Sequence, residues 1–223
     1  MRRLRNLAAL LLSVLLWGGA AVAEVRVLAF GDSLTQGHGL PEEDGFVPQL
    51  QAWLRANGAP DAVVLNAGVS GDTTAGGLAR IGWALGEKPD AVIVELGAND
   101  MLRGLPLAEI RSNLDAILAQ IAAEDLPVLL AGVPVPSNYG ADYRTAFEAI
   151  FTGLAAEHDA ILYPSFLAGM TEGRSLPDAL KLMQADGIHP TADGHARIAE
   201  CIWQTLEPVL QERVGSDRVL DPH

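Results

Sequence analysis

The chain has 223 residues, 49% of them hydrophobic, and a formal net charge of −13. That length and apolar content suit one α/β domain with a sizeable core, and few aromatics beside many small residues suit helices packed closely on a parallel sheet. So acidic a chain, with no basic stripe to offset it, repels phosphate backbones and excludes nucleic acid as a partner.

Residues 1–23 read as a signal peptide. Arg2, Arg3 and Arg5 form its basic region, Leu7 to Trp17 its apolar run, and Ala21-Val22-Ala23 its small-residue cleavage pattern. The apolar run is short for a membrane span of roughly 20 residues. Cleavage before Glu24 is therefore expected, leaving a formal charge of −16 once the three arginines are gone and no stable membrane span. Glu24 is not a cysteine, so the new N-terminus carries no lipid. Export follows, with the periplasm favoured over the external medium.

From Glu24 onward, short apolar runs alternate with amphipathic stretches. Strands are predicted at Val25–Phe30, Ala62–Asn66, Ala91–Leu96, Pro127–Ala131 and Ala160–Tyr163, bounded by Gly and Pro and buried on both faces. Helical stripes appear at Phe46, Leu50, Trp53 and Leu54 (with Gly58 where that helix ends), and at Leu107, Ile110, Leu114, Ile117, Leu118 and Ile121, with Pro106 in the first turn. Two more follow, at Tyr143, Phe147, Ile150 and Leu154, and at Ile198, Ile202, Leu206 and Val209. Cys201 lies beside the last stripe; as the only cysteine it makes no internal disulfide and reads as a small buried hydrophobe. The βαβα order predicts a three-layer α/β/α sandwich on a five-stranded parallel sheet, spanning residues 24–211, with ligands bound beyond the carboxyl ends of the strands. Residues 212–223 read as a polar, fraying tail.

The unusual polar residues gather at one predicted edge. Gly31-Asp32-Ser33 follows the first strand, Asn66-Ala67-Gly68-Val69-Ser70-Gly71-Asp72 the second, and Gly97-Ala98-Asn99-Asp100 the third. Asp186-Gly187-Ile188-His189-Pro190 lies in the long loop after the fifth. These four blocks resemble those of the SGNH (GDSL) hydrolases, with Ser33, Gly71, Asn99 and His189 matching the four naming residues. The stretches Gly71–Arg80 and Glu95–Asp100 are similar to the bacterial arylesterase, thioesterase and lysophospholipase branch. The resemblance runs from the first strand to the last helix. It implies a flavodoxin-like SGNH-hydrolase fold, no cofactor, and action on aryl and short-to-medium acyl esters, acyl thioesters and lysophospholipids.

Each residue also has a role that chemistry alone can argue. A serine hydroxyl attacks a carbonyl only if a base takes its proton, and a strand-to-helix turn can present Ser33 near a helix N-terminus that favours negative charge. Alone, Ser33 serves equally well as a helix N-cap. The Gly-x-Ser-x-Gly elbow of α/β-hydrolases is absent. His189 is the candidate base, since an imidazole accepts and returns a proton near neutrality, and Pro190 keeps its backbone extended. Asp186, three residues earlier, can reach back to the imidazole and set its tautomer.

Donors for the oxyanion are the backbone N–H groups of Ser33 and Gly71 and the amide of Asn99. A tight turn and a loop cap are the alternatives for Gly71 and Asn99. Asp32, Asp72 and Asp100 are expected to tie these loops together. Leu102, Leu105, Pro134, Val135, Pro136 and Tyr139 are candidates for an acyl groove, or plain loop packing.

Asp186, His189, Asp193 and His195 could be read as metal ligands, but Asp193 and His195 open the last helix, and no metal is predicted. His38 and His158 are placed at the solvated surface. Two other readings use the same residues: an acyltransferase or deacetylase acting on envelope carbohydrate, and a non-catalytic exported binding module. The oligomeric state is left open.

Overall fold

The computed structural model describes residues 24–219, with side chains as far as Pro208; the signal-peptide reading of residues 1–23 falls outside them. All five predicted runs form strands: β1 Arg26–Gly31, β2 Val63–Gly68, β3 Ala91–Glu95, β4 Val128–Ala131 and β5 Ile161–Tyr163. They pair in parallel in the order β2-β1-β3-β4-β5. Between them come α1 Ser33–Gln36, α2 Phe46–Ala56, α3 Thr74–Leu85, α4 Ala98–Leu102, α5 Leu107–Ala123 and α6 Ala141–Glu157. The chain closes with α7 Ala168–Thr171, α8 Leu176–Leu180 and α9 Ala192–Val219.

Alternation along each strand makes two cores. Val27 and Ala29 of β1, Ile93 of β3 and Leu129 of β4 meet Phe46, Leu50 and Leu54 of α2 and Ile198, Ile202 and Leu206 of α9. Leu28 and Phe30 point the other way with Val92, Val94 and Leu130, against α3, α5 and α6. Each large apolar side chain so buried contributes about 1.5–3 kcal/mol. Helices on both faces of a parallel sheet give three layers.

α3 was hidden in sequence by Gly76, Gly77 and Gly82, which blank its apolar stripe. Thr73 caps it by accepting from the Gly76 N–H at 3.3 Å. A Cβ on Gly77 would lie 2.4 Å from Leu96 Cδ1, so any side chain there would displace that buried leucine. Two expectations shift. Pro106 stands one residue ahead of α5 as its N-cap, and α9 continues through Pro208 to Val219. The helical backbone thus overlaps the first part of the polar stretch predicted from residue 212, where Gln211, Glu212 and Arg213 are good helix formers.

Strand order reverses between β1 and β3: from β1 the chain moves outward to β2, then returns past it to β3. The carboxyl ends of β1 and β3 flank the crevice such a reversal opens, where ligands of doubly wound sheets bind.

His195, in the first turns of α9, is fully buried, and neither ring nitrogen has a partner among the described residues. Burial, then the charge of His189, lowers its pKa from 6.5 to about 4. The unfolded chain takes up this proton below 6.5 and the folded chain only below about 4, so stability is lost as pH falls between the two. At about 1.36 kcal/mol per unit, wild type should lose about 2–3 kcal/mol more than His195→Leu between pH 7 and 4.5. Urea denaturation at both pH values checks this, and parallel losses in the two proteins would refute it.

Candidate active site

β1 ends at Gly31 and turns directly into α1. Asp32 is the N-cap: its Oδ1 accepts from the Leu34 N–H at 3.0 Å, which leaves Ser33 as the first residue of the helix and its hydroxyl free. The capping alternative for Ser33 thus passes to its neighbour. The turn is tight, since a Cβ on Gly31 would lie 2.0 Å from Thr35 Oγ1 and 2.8 Å from Glu95 Oε2.

His189 reaches this hydroxyl from the far end of the chain, with Nε2 2.9 Å from Ser33 Oγ. Its Nδ1 lies 2.7 Å from Asp186 Oδ2. The other carboxylate oxygen of Asp186 accepts from the N–H groups of Ile188 at 2.9 Å and His189 at 3.1 Å. Asp186 therefore shapes the loop and orients the ring together. The hydrogen bond from His189, then those two backbone donors, hold its carboxyl well below the usual carboxylate range. With Nδ1–H committed to Asp186, Nε2 presents a lone pair to the serine proton.

Gln184 braces this loop, donating through Nε2 to the carbonyls of Pro190 and His38, both at 2.8 Å. A bridge between Met183 and Pro190 completes the clamp. Neither contact leaves a mark in sequence, because a glutamine in a loop has no periodic or motif signature.

On the opposite side, Gly71 takes a left-handed φ of +79°, a region that disfavours any side chain. Arg103 Nη2 donates to its carbonyl at 2.7 Å, which fixes the direction of the neighbouring peptide groups. Asn99 Nδ2 donates to Asp32 Oδ2 at 2.9 Å, so the acid sets which way the amide faces and leaves its second hydrogen for a ligand. Asp72 pairs with Arg80 at 2.7 Å, and Arg80 also donates to the carbonyls of Ala67 and Gly31, joining the ends of β1 and β2. Asp100 accepts from the Thr74 N–H at 2.9 Å and its hydroxyl at 2.6 Å, joining α4 to α3.

The remaining candidates divide. Leu102 is 53% exposed, and Pro134 and Pro136 are exposed. Leu105 and Tyr139 are half-buried, the Tyr139 hydroxyl donating to the Met101 carbonyl at 3.5 Å. Val135 packs into the core shared by α5 and α6, the loop-packing alternative. His158 differs from its expected solvated setting, because its side chain is largely buried with Nε2 2.6 Å from Asp115 Oδ1 at the end of α6. His38 is exposed as expected, yet its ring lies 4.6 Å from that of His189 and its Nδ1 3.1 Å from Ser70 Oγ. Ser70 in turn donates to Gln36 Oε1, so His38 must be the donor to Ser70. Asp193 and His195 stay on α9, and among the described residues no three His, Cys, Asp or Glu side chains converge as metal ligands would.

Residues 29–197 match the model of the GDSL-like lipase/acylhydrolase family. Esterase TesA of Pseudomonas aeruginosa is 41% identical over 189 residues, covering 84% of this chain and 90% of that protein. The thioesterase 1/protease 1/lysophospholipase L1 of Escherichia coli K12 is 37% identical over 198 residues, covering 88% and 90%. The psychrotrophic esterase EstA from Pseudoalteromonas sp., solved inhibited by monoethylphosphonate, superposes with a TM-score of 0.74 at 32% identity, covering 84% of this chain and all of that one. By family model, sequence and fold alike, the chain belongs to the GDSL-like lipase/acylhydrolase family.

Proposed function

We propose that this protein is an exported serine hydrolase that cleaves carboxylic esters, acyl thioesters and lysophospholipids through an acyl-enzyme on Ser33. The observation that carries the reading is the unbroken line from Ser33 Oγ through His189 to Asp186, with contacts of 2.9 and 2.7 Å, at the crevice between β1 and β3. Relatives bearing the names esterase, thioesterase and lysophospholipase support the substrate classes. The signal-like residues 1–23 support export, with the periplasm favoured. Among the described residues no helix is long and apolar enough to cross a membrane.

Ser33 Oγ attacks the carbonyl carbon while its proton passes to His189 Nε2. The carbonyl oxygen becomes an oxyanion held by the N–H groups of Ser33 and Gly71 and by Asn99 Nδ2. Asp186 steadies the imidazolium. Collapse of the intermediate breaks the C–O or C–S bond, and the leaving oxygen or sulfur takes the proton from Nε2. Water then gives a proton to Nε2 and attacks the acyl-enzyme, and a second collapse frees the acid and returns the proton to Ser33 Oγ. No step calls for a cofactor.

Asn99→Ala should lower kcat by about 10²–10³-fold with little change in KM, since the amide acts on a charge that the substrate lacks. Steady-state kinetics on a chromogenic ester measure this, and a rise in KM alone would move Asn99 to substrate binding. The reading as a whole is tested by a fluorophosphonate. One equivalent should attach to Ser33, seen by peptide mass, with parallel loss of ester and thioester hydrolysis. Full labelling at another residue would overturn it.

A further inference from the structure

We propose that Glu95 is a protonated positioning residue, whose neutral carboxyl donates to Asp32 and so holds that carboxylate where it grips Asn99 and the first turn behind Ser33. Glu95 ends β3, a strand otherwise wholly apolar, and in register it stands beside Gly31. Glu95 and Asp32 are both fully buried.

The proton is assigned from the hydrogen bonds each acid already accepts. Asp32 accepts from the Leu34 N–H at 3.0 Å through Oδ1 and from Asn99 Nδ2 at 2.9 Å through Oδ2. Glu95 accepts from Thr35 Oγ1 at 2.9 Å and from the Asp32 N–H at 3.3 Å, both on Oε2. Its Oε1 is buried with no partner. Neither acid is hydrogen-bonded to an Arg or Lys among the described residues. The guanidinium of Arg80 is committed to Asp72, Gly31 and Ala67.

Two negative charges cannot share so dry a space without a cation between them, and one carboxyl keeps its proton. A hydrogen on Glu95 Oε1 gives the orphan oxygen a bond and gives Asp32 a third donor. Burial pushes Asp32 up, and burial and then the Asp32 charge push Glu95 much further, in agreement with that assignment. A neutral Glu95 thus leaves one negative charge under the site, fixed at Asp32, where it turns the Asn99 amide outward. An ionised Glu95 would push Asp32 away and release Asn99.

The kinetic consequence rests on the reading of Asn99 as an oxyanion donor; the protonation does not. Glu95→Gln keeps a donor and an acceptor in place, so its kcat near neutrality should stay close to wild type. Glu95→Ala should lower kcat about a hundredfold with KM little changed, the scale of a misplaced catalytic group. At alkaline pH wild type should lose kcat as Glu95 ionises, and Glu95→Gln should lack that loss. The infrared difference spectrum of wild type minus Glu95→Gln, at about pH 8, should carry the C=O stretch of a neutral carboxylic acid. In wild-type protein labelled with ¹³C-glutamate, one carboxyl resonance should keep its neutral-acid shift at that pH, whether or not the variants fold. An ionised resonance for every glutamate, or Glu95→Gln as impaired as Glu95→Ala, would overturn the proposal. If Asn99→Ala were fully active while the neutral-acid signal persisted, only the oxyanion reading would fall.

Discussion

Replacing Ser33 by Ala is expected to lower kcat for a chromogenic ester by about 10⁵–10⁶-fold, the scale on which losing the nucleophile disables a serine hydrolase. The fold should be untouched, for reasons visible in the turn. Asp32, not Ser33, caps α1, so the helix keeps its N-terminal hydrogen bond. Among the described residues the hydroxyl's one hydrogen-bond partner is His189 Nε2, so its loss strands no backbone group. Ala is also a good helix former in the position Ser33 occupies. Melting curves for the two proteins should therefore superpose within a degree or two, while single-turnover mixing shows no acyl-enzyme burst. A folded variant with more than a few per cent of wild-type turnover would eliminate Ser33 as nucleophile.

Asp186→Asn should come next, lowering kcat by about 10³–10⁴-fold. Asp186 presents two acceptor oxygens: one takes the N–H groups of Ile188 and His189, the other faces His189 Nδ1. Asparagine has a single acceptor, and the two backbone donors claim it. Its NH₂ group then faces Nδ1 and drives the imidazole proton to Nε2, the atom that must accept from Ser33. The variant would fail through the wrong tautomer, and ¹⁵N spectra of the His189 ring should show Nδ1 unprotonated. A normal tautomer with normal kcat would remove Asp186 from the mechanism. In wild type the same contacts keep Asp186 ionised well into acid, so activity lost between pH 6 and 5 should track another group.

Much of this site could be read from sequence because it is built from strand ends. A parallel sheet sends every carboxyl end to one edge, so locating the five apolar runs already gathered Ser33, Gly71 and Asn99, and the 156-residue gap between Ser33 and His189 ceased to matter. The supporting contacts were less legible. Gln184, Arg103 and Arg80 act on backbone carbonyls, and a carbonyl has no residue identity to pattern against. Glu95 was legible as a charge within an apolar run and as the first residue of the stretch Glu95–Asp100, with nothing to mark its burial beside Asp32. His38 looked like any loop histidine until folding laid it on His189. Val135 stayed open between groove and packing, because an apolar residue in a loop can point inward as readily as toward a ligand.

The crowding at Gly31 has a practical meaning for anyone diversifying this protein. Any larger residue there would evict the Thr35 hydroxyl and the Glu95 carboxyl that fill the space. Random libraries across the first motif would therefore consist mostly of broken scaffolds. Leu102, Pro134 and Pro136, by contrast, stand exposed and outside that turn. Variation confined to those three positions leaves the packed turn beneath Ser33 inherited unchanged.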